Sequence, residues 1–179
     1  MTKKGFTFIE LIVYVALMAI ILNVGVYFVW QMIEGKAKNV AYLEVERNSI
    51  IALDKISYQA KKAKSIEIPG QGQENSQLTL IMPDDSRIRF YLQESSLFLE
   101  KNGNSAPLTN RKVVVEEIVF KNLSSVIGPA PSFPGSFQVK IKTSYYNPLT
   151  RSEYQAEILL QKTITLRDNL GRSNFISDE

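Results

Sequence analysis

Cysteine and histidine are both absent from the 179 residues. Their absence excludes disulfide staples, thiol nucleophiles, zinc sites of the usual ligand types and every histidine-based triad. Any extracytoplasmic part of the chain must therefore be held together by its core alone. An excess of one charge is missing too. Lys and Arg number 21 against 18 Asp and Glu; without Lys3 and Lys4 the count is 19 against 18, a balance of +1. Such a near-neutral chain has no global field to draw in nucleic acid. No glycine-rich phosphate loop, interpretable acid pair or activated nucleophile occurs, which argues against an enzyme. Proline does not occur before Pro69, so no helix breaker interrupts the first third of the chain.

What is present begins with a long apolar run. Apolar content of 45% and charged content of 22% are ordinary for a folded chain, and the length suits one domain plus an appendage. The twenty residues from Leu11 to Trp30 contain one strongly polar side chain, Asn23. As a helix they span about 30 Å, the hydrocarbon thickness of a bilayer. Lys3 and Lys4 precede the run and favour a cytoplasmic N-terminus. A cleaved secretory signal fits poorly: the run is too long, and Ala16-Leu17-Met18-Ala19 falls in its middle.

Glu10 is the anomaly. A carboxylate within an apolar span costs about 2.5–3.5 kcal/mol on insertion scales and is functional by default. Phe6, Thr7, Val13 and Tyr14, its helical neighbours at three and four residues, carry no positive charge. The compensating charge must come from another molecule or from processing of the chain.

With Lys3-Lys4 ahead of it, Gly5-Phe6-Thr7-Phe8-Ile9-Glu10 resembles the leader and cleavage box of type IV prepilins and type II secretion pseudopilins. The resemblance implies that a membrane prepilin peptidase cuts between Gly5 and Phe6 and methylates the new amine of Phe6. Glu10 then becomes the fifth mature residue, matching the glutamate that in this family meets a neighbour's positive N-terminus. It further implies partners: other pilins or pseudopilins through their N-terminal helices, the peptidase, the membrane and an inner-membrane assembly platform. The implied location is the inner membrane, single-pass, followed by an extracytoplasmic filament. On this reading the protein is a substrate of processing, does no chemistry itself and needs no cofactor.

The expected fold class is α+β, a pilin-like fold whose long N-terminal helix packs its second half on a C-terminal antiparallel sheet. The divisions are 1–5 leader, 6–30 membrane and filament-core helix, 31–68 amphipathic helix half, and 69–179 β-rich head. Ile33, Ala37, Val40, Ala41, Leu43, Ile50, Ile51, Leu53, Ile56, Ala60 and Ala63 keep a helical period, predicting one helix from Phe6 to about Lys64. Lys61, Lys62 and Lys64 suit its C-terminus. Strands are expected at Leu78–Met82, Arg87–Leu92, Leu97–Lys101, Val113–Phe120, Phe137–Tyr145 and Gln155–Leu166. Glu116-Glu117 could mark a short helical piece within the fourth. Turns fall at Pro83–Ser86, Gln93–Ser96, Asn102–Asn104 and near Asn147-Pro148.

Several further groups compete with plain structural readings. Asp84-Asp85-Ser86 suggests calcium, but a turn after Pro83 explains it, and two acids fall short of six to eight oxygens; no metal is expected. The Gly128–Gly135 loop, with Phe133 at its centre, reads as a surface insertion before a partner contact. Tyr145, Tyr146 and Tyr154 flank a turn and could form a sticky patch, but strand positions commonly carry tyrosine. Lys61, Lys62, Lys64, Arg87 and Arg89 would touch DNA only in an uptake pilus; a solvated face is the simpler reading. Gly25 is a lone glycine in the apolar helix.

Arg47 to Asp54, the stretch IRFYLQESSLFLEKN followed by Pro107-Leu108-Thr109, and KTITLRD at Lys162–Asp168 also resemble J-type minor pseudopilins and related minor pilins. Many major pilins carry a proline late in the apolar helix, and this chain has none there. Both features point to a minor subunit acting in initiation or at the tip. The competing class is a single-pass membrane-anchored extracytoplasmic binding domain that does not polymerise.

Overall fold

The computed structural model describes residues 7–124 and 135–167. One helix, α1 (Phe8–Ala60), runs for 53 residues, about 80 Å at 1.5 Å per residue. Thr7 caps it in an extended conformation. From Thr7 to Lys36 every residue is exposed. Beyond that the helix enters the head.

The buried stripe is Ala41, Val45, Ser49, Ala52, Ile56 and Ala60, a run of three- and four-residue steps that brings one face to the core. Its small residues let the helix backbone lie close to the strands beneath, and the fully buried Ile56 adds about 1.5–3 kcal/mol of transfer free energy. The helix ends at Ala60, four residues before the expected Lys64, because its last turn tightens. Lys62 N–H donates to Gln59 O and Ala63 N–H to Ala60 O, both at 3.1 Å, a 3-10 pattern. Lys64 N–H then bonds Ile81 O at 2.7 Å, so the chain has already joined a sheet. The lysine cluster sits just past the final helical turn, not within it.

The strands in chain order are β1 (Ser65–Ile68), β2 (Glu74–Asn75), β3 (Leu78–Ile81), β4 (Arg87–Gln93), β5 (Ser96–Lys101), β6 (Asn104–Pro107), β7 (Val113–Asn122), β8 (Ser136–Tyr145) and β9 (Glu157–Thr165). Helix first and antiparallel strands afterwards is the expected α+β order. The strands form two sheets rather than one: β1-β3-β4-β5-β6 and β2-β7-β8-β9. One core joins them, with Leu80, Ile88 and Phe90 from the first sheet meeting Phe120, Phe137 and Ile141 from the second, and Ile56 from the helix. Val115 N–H also donates to Ser95 O at 2.8 Å, tying the β4–β5 turn to β7. Glu116-Glu117 is not helical: register shifts there in a β-bulge, and β7 continues through it.

The helix and the last strand share a direction. Ala41 belongs to a cluster with Ala156, and Asp54 pairs with Lys162 at 3.1 Å. The helix therefore runs alongside β9 in the same sense: thirteen helical residues and six strand residues both rise about 20 Å. The β8–β9 connection consequently lies at the end of the head where α1 enters.

Candidate functional site

The strongest candidate is the N-terminal end of α1. Glu10 N–H donates to Thr7 Oγ1, a long bond at 3.4 Å, and to Thr7 O at 3.1 Å. Thr7 is the N-cap and Glu10 the third helical residue, the threonine-x-x-glutamate spacing of a capping box. This helix-start signal is visible in Thr7-Phe8-Ile9-Glu10, and sequence reasoning missed it by treating Glu10 only as a charge in lipid. An acid in the first turn gains about 0.3–1 kcal/mol from the helix dipole. The cost at the centre of a bilayer is about 2.5–3.5 kcal/mol, an upper bound for a residue this near the helix end. The helix dipole therefore offsets at least part of it. No ion pair reaches Glu10 among the described residues.

Lys3, Lys4, Gly5 and Phe6 lie outside the described residues, as do Phe133 and the rest of the loop before Gly135. From Phe8 to Trp30 the helix is a rod with apolar side chains on every face: Phe8 is 76% exposed, and Leu11, Val15, Met18, Leu22, Val26 and Trp30 are exposed likewise. The helix is long and apolar enough to cross a membrane. Asn23 is accommodated by donating from Nδ2 to Ala19 O at 2.9 Å, which ties its amide to the helix's own backbone. Trp30 Nε1–H donates to Glu34 at 2.9 Å, marking the transition to polar sequence. A Cβ on Gly25 would meet nothing within 4 Å in the single subunit.

Most of the remaining candidates have local partners. Asp84 Oδ1 accepts from Ser86 N–H at 3.1 Å and Ser86 Oγ at 2.6 Å; these Ser86 bonds, side chain first, hold its carboxyl below the usual range. Asp85 pairs with Lys64 at 3.2 Å, so both carboxylates serve the turn. Arg87 grips Glu67 through two nitrogens, at 2.8 and 3.0 Å, and Arg89 meets Glu100 across the β4–β5 ladder at 2.6 Å. Lys62 donates to Tyr58. Tyr145 and Tyr154 stack with ring centres 5.7 Å apart beside Ala41 and Val45, while Tyr146 stays exposed. These tyrosines do not form one patch.

Comparison with known proteins adds one finding. Residues 1–22 match the family model of the prokaryotic N-terminal methylation motif. The match covers Lys3, Lys4, Gly5, Phe6 and Glu10 and extends into the exposed rod. It supports a type IV pilin-like prepilin, a substrate of prepilin peptidase, and with the apolar helix it supports single-pass membrane anchoring. Comparisons with curated proteins and with solved structures found no match.

Proposed function

We propose that this chain is a minor pilin or pseudopilin of a type IV pilus or type II secretion-like filament. Prepilin peptidase cuts between Gly5 and Phe6, and Phe6 becomes the methylated N-terminus. The subunit leaves the inner membrane through the assembly platform and joins other pilins through α1. Its place is in initiation or at the tip, and it acts as a processing substrate rather than a catalyst.

The observation that carries this reading is the continuity of two features. A methylation motif over residues 1–22 leads directly into a helix exposed from Thr7 to Lys36. An apolar rod of that length needs lipid or neighbouring helices on all sides, because water around it would cost about 25 cal/mol for each Å² of apolar surface. A plain single-pass anchor would satisfy the rod in lipid and the helix start at Glu10, but it leaves the carboxylate without a full opposite charge. A new +1 amine on a neighbour's Phe6 supplies the charge that the helix dipole cannot match.

Intact-mass measurement of the protein from its native membrane tests the proposal. The expected mass lacks residues 1–5 and carries one methyl group. Retention of Met1 to Gly5 would sink it. Cross-linking between α1 rods of neighbouring subunits separates a filament subunit from an anchored domain that never polymerises.

A further inference from the structure

The β8–β9 connection carries exposed apolar side chains at the end of the head where α1 enters. Leu149 is 69% exposed and Tyr146 55%. Asn147 fixes the connection from within: its Nδ2 donates to Arg151 O at 2.7 Å, and its Oδ1 accepts from Arg151 N–H at 3.0 Å. Tyr146 N–H bonds Lys112 O at 2.8 Å, which brings the segment before β7 to the same end. Leu149 is thus presented on a closed loop whose base is anchored to the head.

Cations gather at this end. Lys36 and Lys38 lie on the helix just below the head, and Arg111 and Lys112 precede β7; all four are exposed. None of the four forms an ion pair among the described residues. Of the anions nearby, Glu34 accepts from Trp30, Glu44 accepts from Asn48 and Asn110, and Glu153 faces Arg151. These neutral donors leave Glu34 and Glu44 charged, so with Arg151 set against Glu153 the four cations stand against two anions, a net of +2 at this end.

Height along the helix decides what these groups face. Trp30, which closes the apolar span, is eleven residues before Ala41, about 16 Å along the axis. β8 runs antiparallel to β9 and so heads toward the rod, and two extended residues past Tyr145 carry the chain about 7 Å further that way. A bilayer's polar layer adds about 5–7 Å outside its hydrocarbon, and an ordinary tilt of about 20° lowers one side of the head further. A tilt toward the loop brings it and the four cations to headgroup height.

We propose that this end of the head docks on an anionic bilayer surface, with Leu149 and Tyr146 entering the interface and Lys36, Lys38, Arg111 and Lys112 facing lipid headgroups. The proposal rests on the membrane-anchored reading of α1. Docking fixes the head's orientation on the membrane before assembly and must be released when the subunit is extracted. Each basic residue at such a surface strengthens docking roughly five-fold.

The chain's composition makes the test clean: it has no cysteine, and Trp30 is its single tryptophan. The full chain carrying Leu149→Cys is labelled with an environment-sensitive fluorophore and reconstituted in phosphatidylcholine vesicles, with or without phosphatidylglycerol and headgroup-region doxyl lipid. Ser105→Cys on β6, toward the opposite end of the head, is the reference. Expected is a blue shift and doxyl quenching at position 149 but not 105, stronger with phosphatidylglycerol and weakened by Arg111→Gln with Lys112→Gln. Quenching of Trp30 without quenching at 149 overturns the docking and leaves the anchor standing. Absence of both overturns the anchor as well. A blue shift at 149 that grows with subunit density and ignores doxyl lipid overturns the proposal by assigning the loop to a neighbouring subunit.

Discussion

Ser49 Oγ on α1 and Thr143 Oγ1 on β8 lie 2.6 Å apart in the core, both fully buried. Ser49 Oγ donates to Val45 O at 2.7 Å, so the proton between the two hydroxyls belongs to Thr143. The pair is a polar latch between helix and sheet at the middle of the buried stripe.

Ser49→Ala should lower head stability by about 1–2 kcal/mol, because Thr143 keeps only a long contact to Ile158 O. Thr143→Val should cost less, since Ser49 retains Val45. The double variant should be more stable than the sum of the two losses implies, a coupling of about 1 kcal/mol. Urea unfolding of the full chain in detergent, monitored by near-ultraviolet dichroism of the head's tyrosines, measures all three.

Asn122 gives a second stability prediction. It is buried at the end of β7, donating from Nδ2 to Pro69 O at 2.8 Å and accepting from Ser124 N–H at 2.9 Å. Asn122→Ala strands both backbone groups and should cost about 1–3 kcal/mol. Asn122→Asp should be worse at neutral pH and recover toward acid, because it sets a carboxylate against the Pro69 carbonyl. Equal losses for the two variants at neutral pH would contradict this account.

Acid should weaken the head through identifiable pairs. Lys142 sits between Glu116 at 2.7 Å and Glu157 at 3.0 Å. The Lys142 hydrogen bond, followed by one from Ser144, holds the Glu116 carboxyl below its ordinary 4.5. Glu67 is lowered chiefly by its hydrogen bond from Arg87. A depressed carboxyl contributes stability that is present above the unfolded value and lost as pH falls through the folded one. Stability should therefore decline below about pH 4.5, and Glu116→Gln should flatten that limb. Lys142 is raised by its Glu116 and Glu157 hydrogen bonds, so its contribution holds below its unfolded value and is lost only in strong alkali. Solvent screening keeps each exposed pair small; an unchanged acid limb in Glu116→Gln would exclude this pair as a contributor.

Glu10→Gln should leave cleavage intact and impair incorporation into filaments. The capping geometry sharpens that expectation: the backbone bonds between residues 7 and 10 survive the change, so helix start is preserved while the charge disappears. Quantifying processed and assembled protein side by side separates the two steps. Wild-type incorporation would count against charge pairing between subunits.

The periodic apolar patterns make α1, β3, β4, β5, β7, β8 and β9 legible, together with the loops between them. The two-residue turn Glu94-Ser95 is legible even though both residues adopt positive φ, 48° and 57°, without the glycine or asparagine that usually announces such a turn. Three strands are not visible in the sequence. β1 comes directly after Lys61, Lys62 and Lys64, whose charges read as a helix end; β2 is two residues long; and β6, Asn104–Pro107, is exposed throughout. Short or exposed strands take their identity from a partner's free edge, which a linear pattern does not contain. The split into two sheets is invisible for the same reason. At the site, Glu10 stands out by its charge, but its place in the first turn needs the cap at Thr7.

One continuous helix places its two halves under different constraints. A substitution between Thr7 and Lys36 alters no buried contact within the subunit and is judged by lipid and neighbours alone. A substitution on the Ala41–Ala60 stripe changes the head itself. Gly25→Ala and Ala52→Gly therefore ask separate questions of the same helix: the first reads out assembly, the second folding.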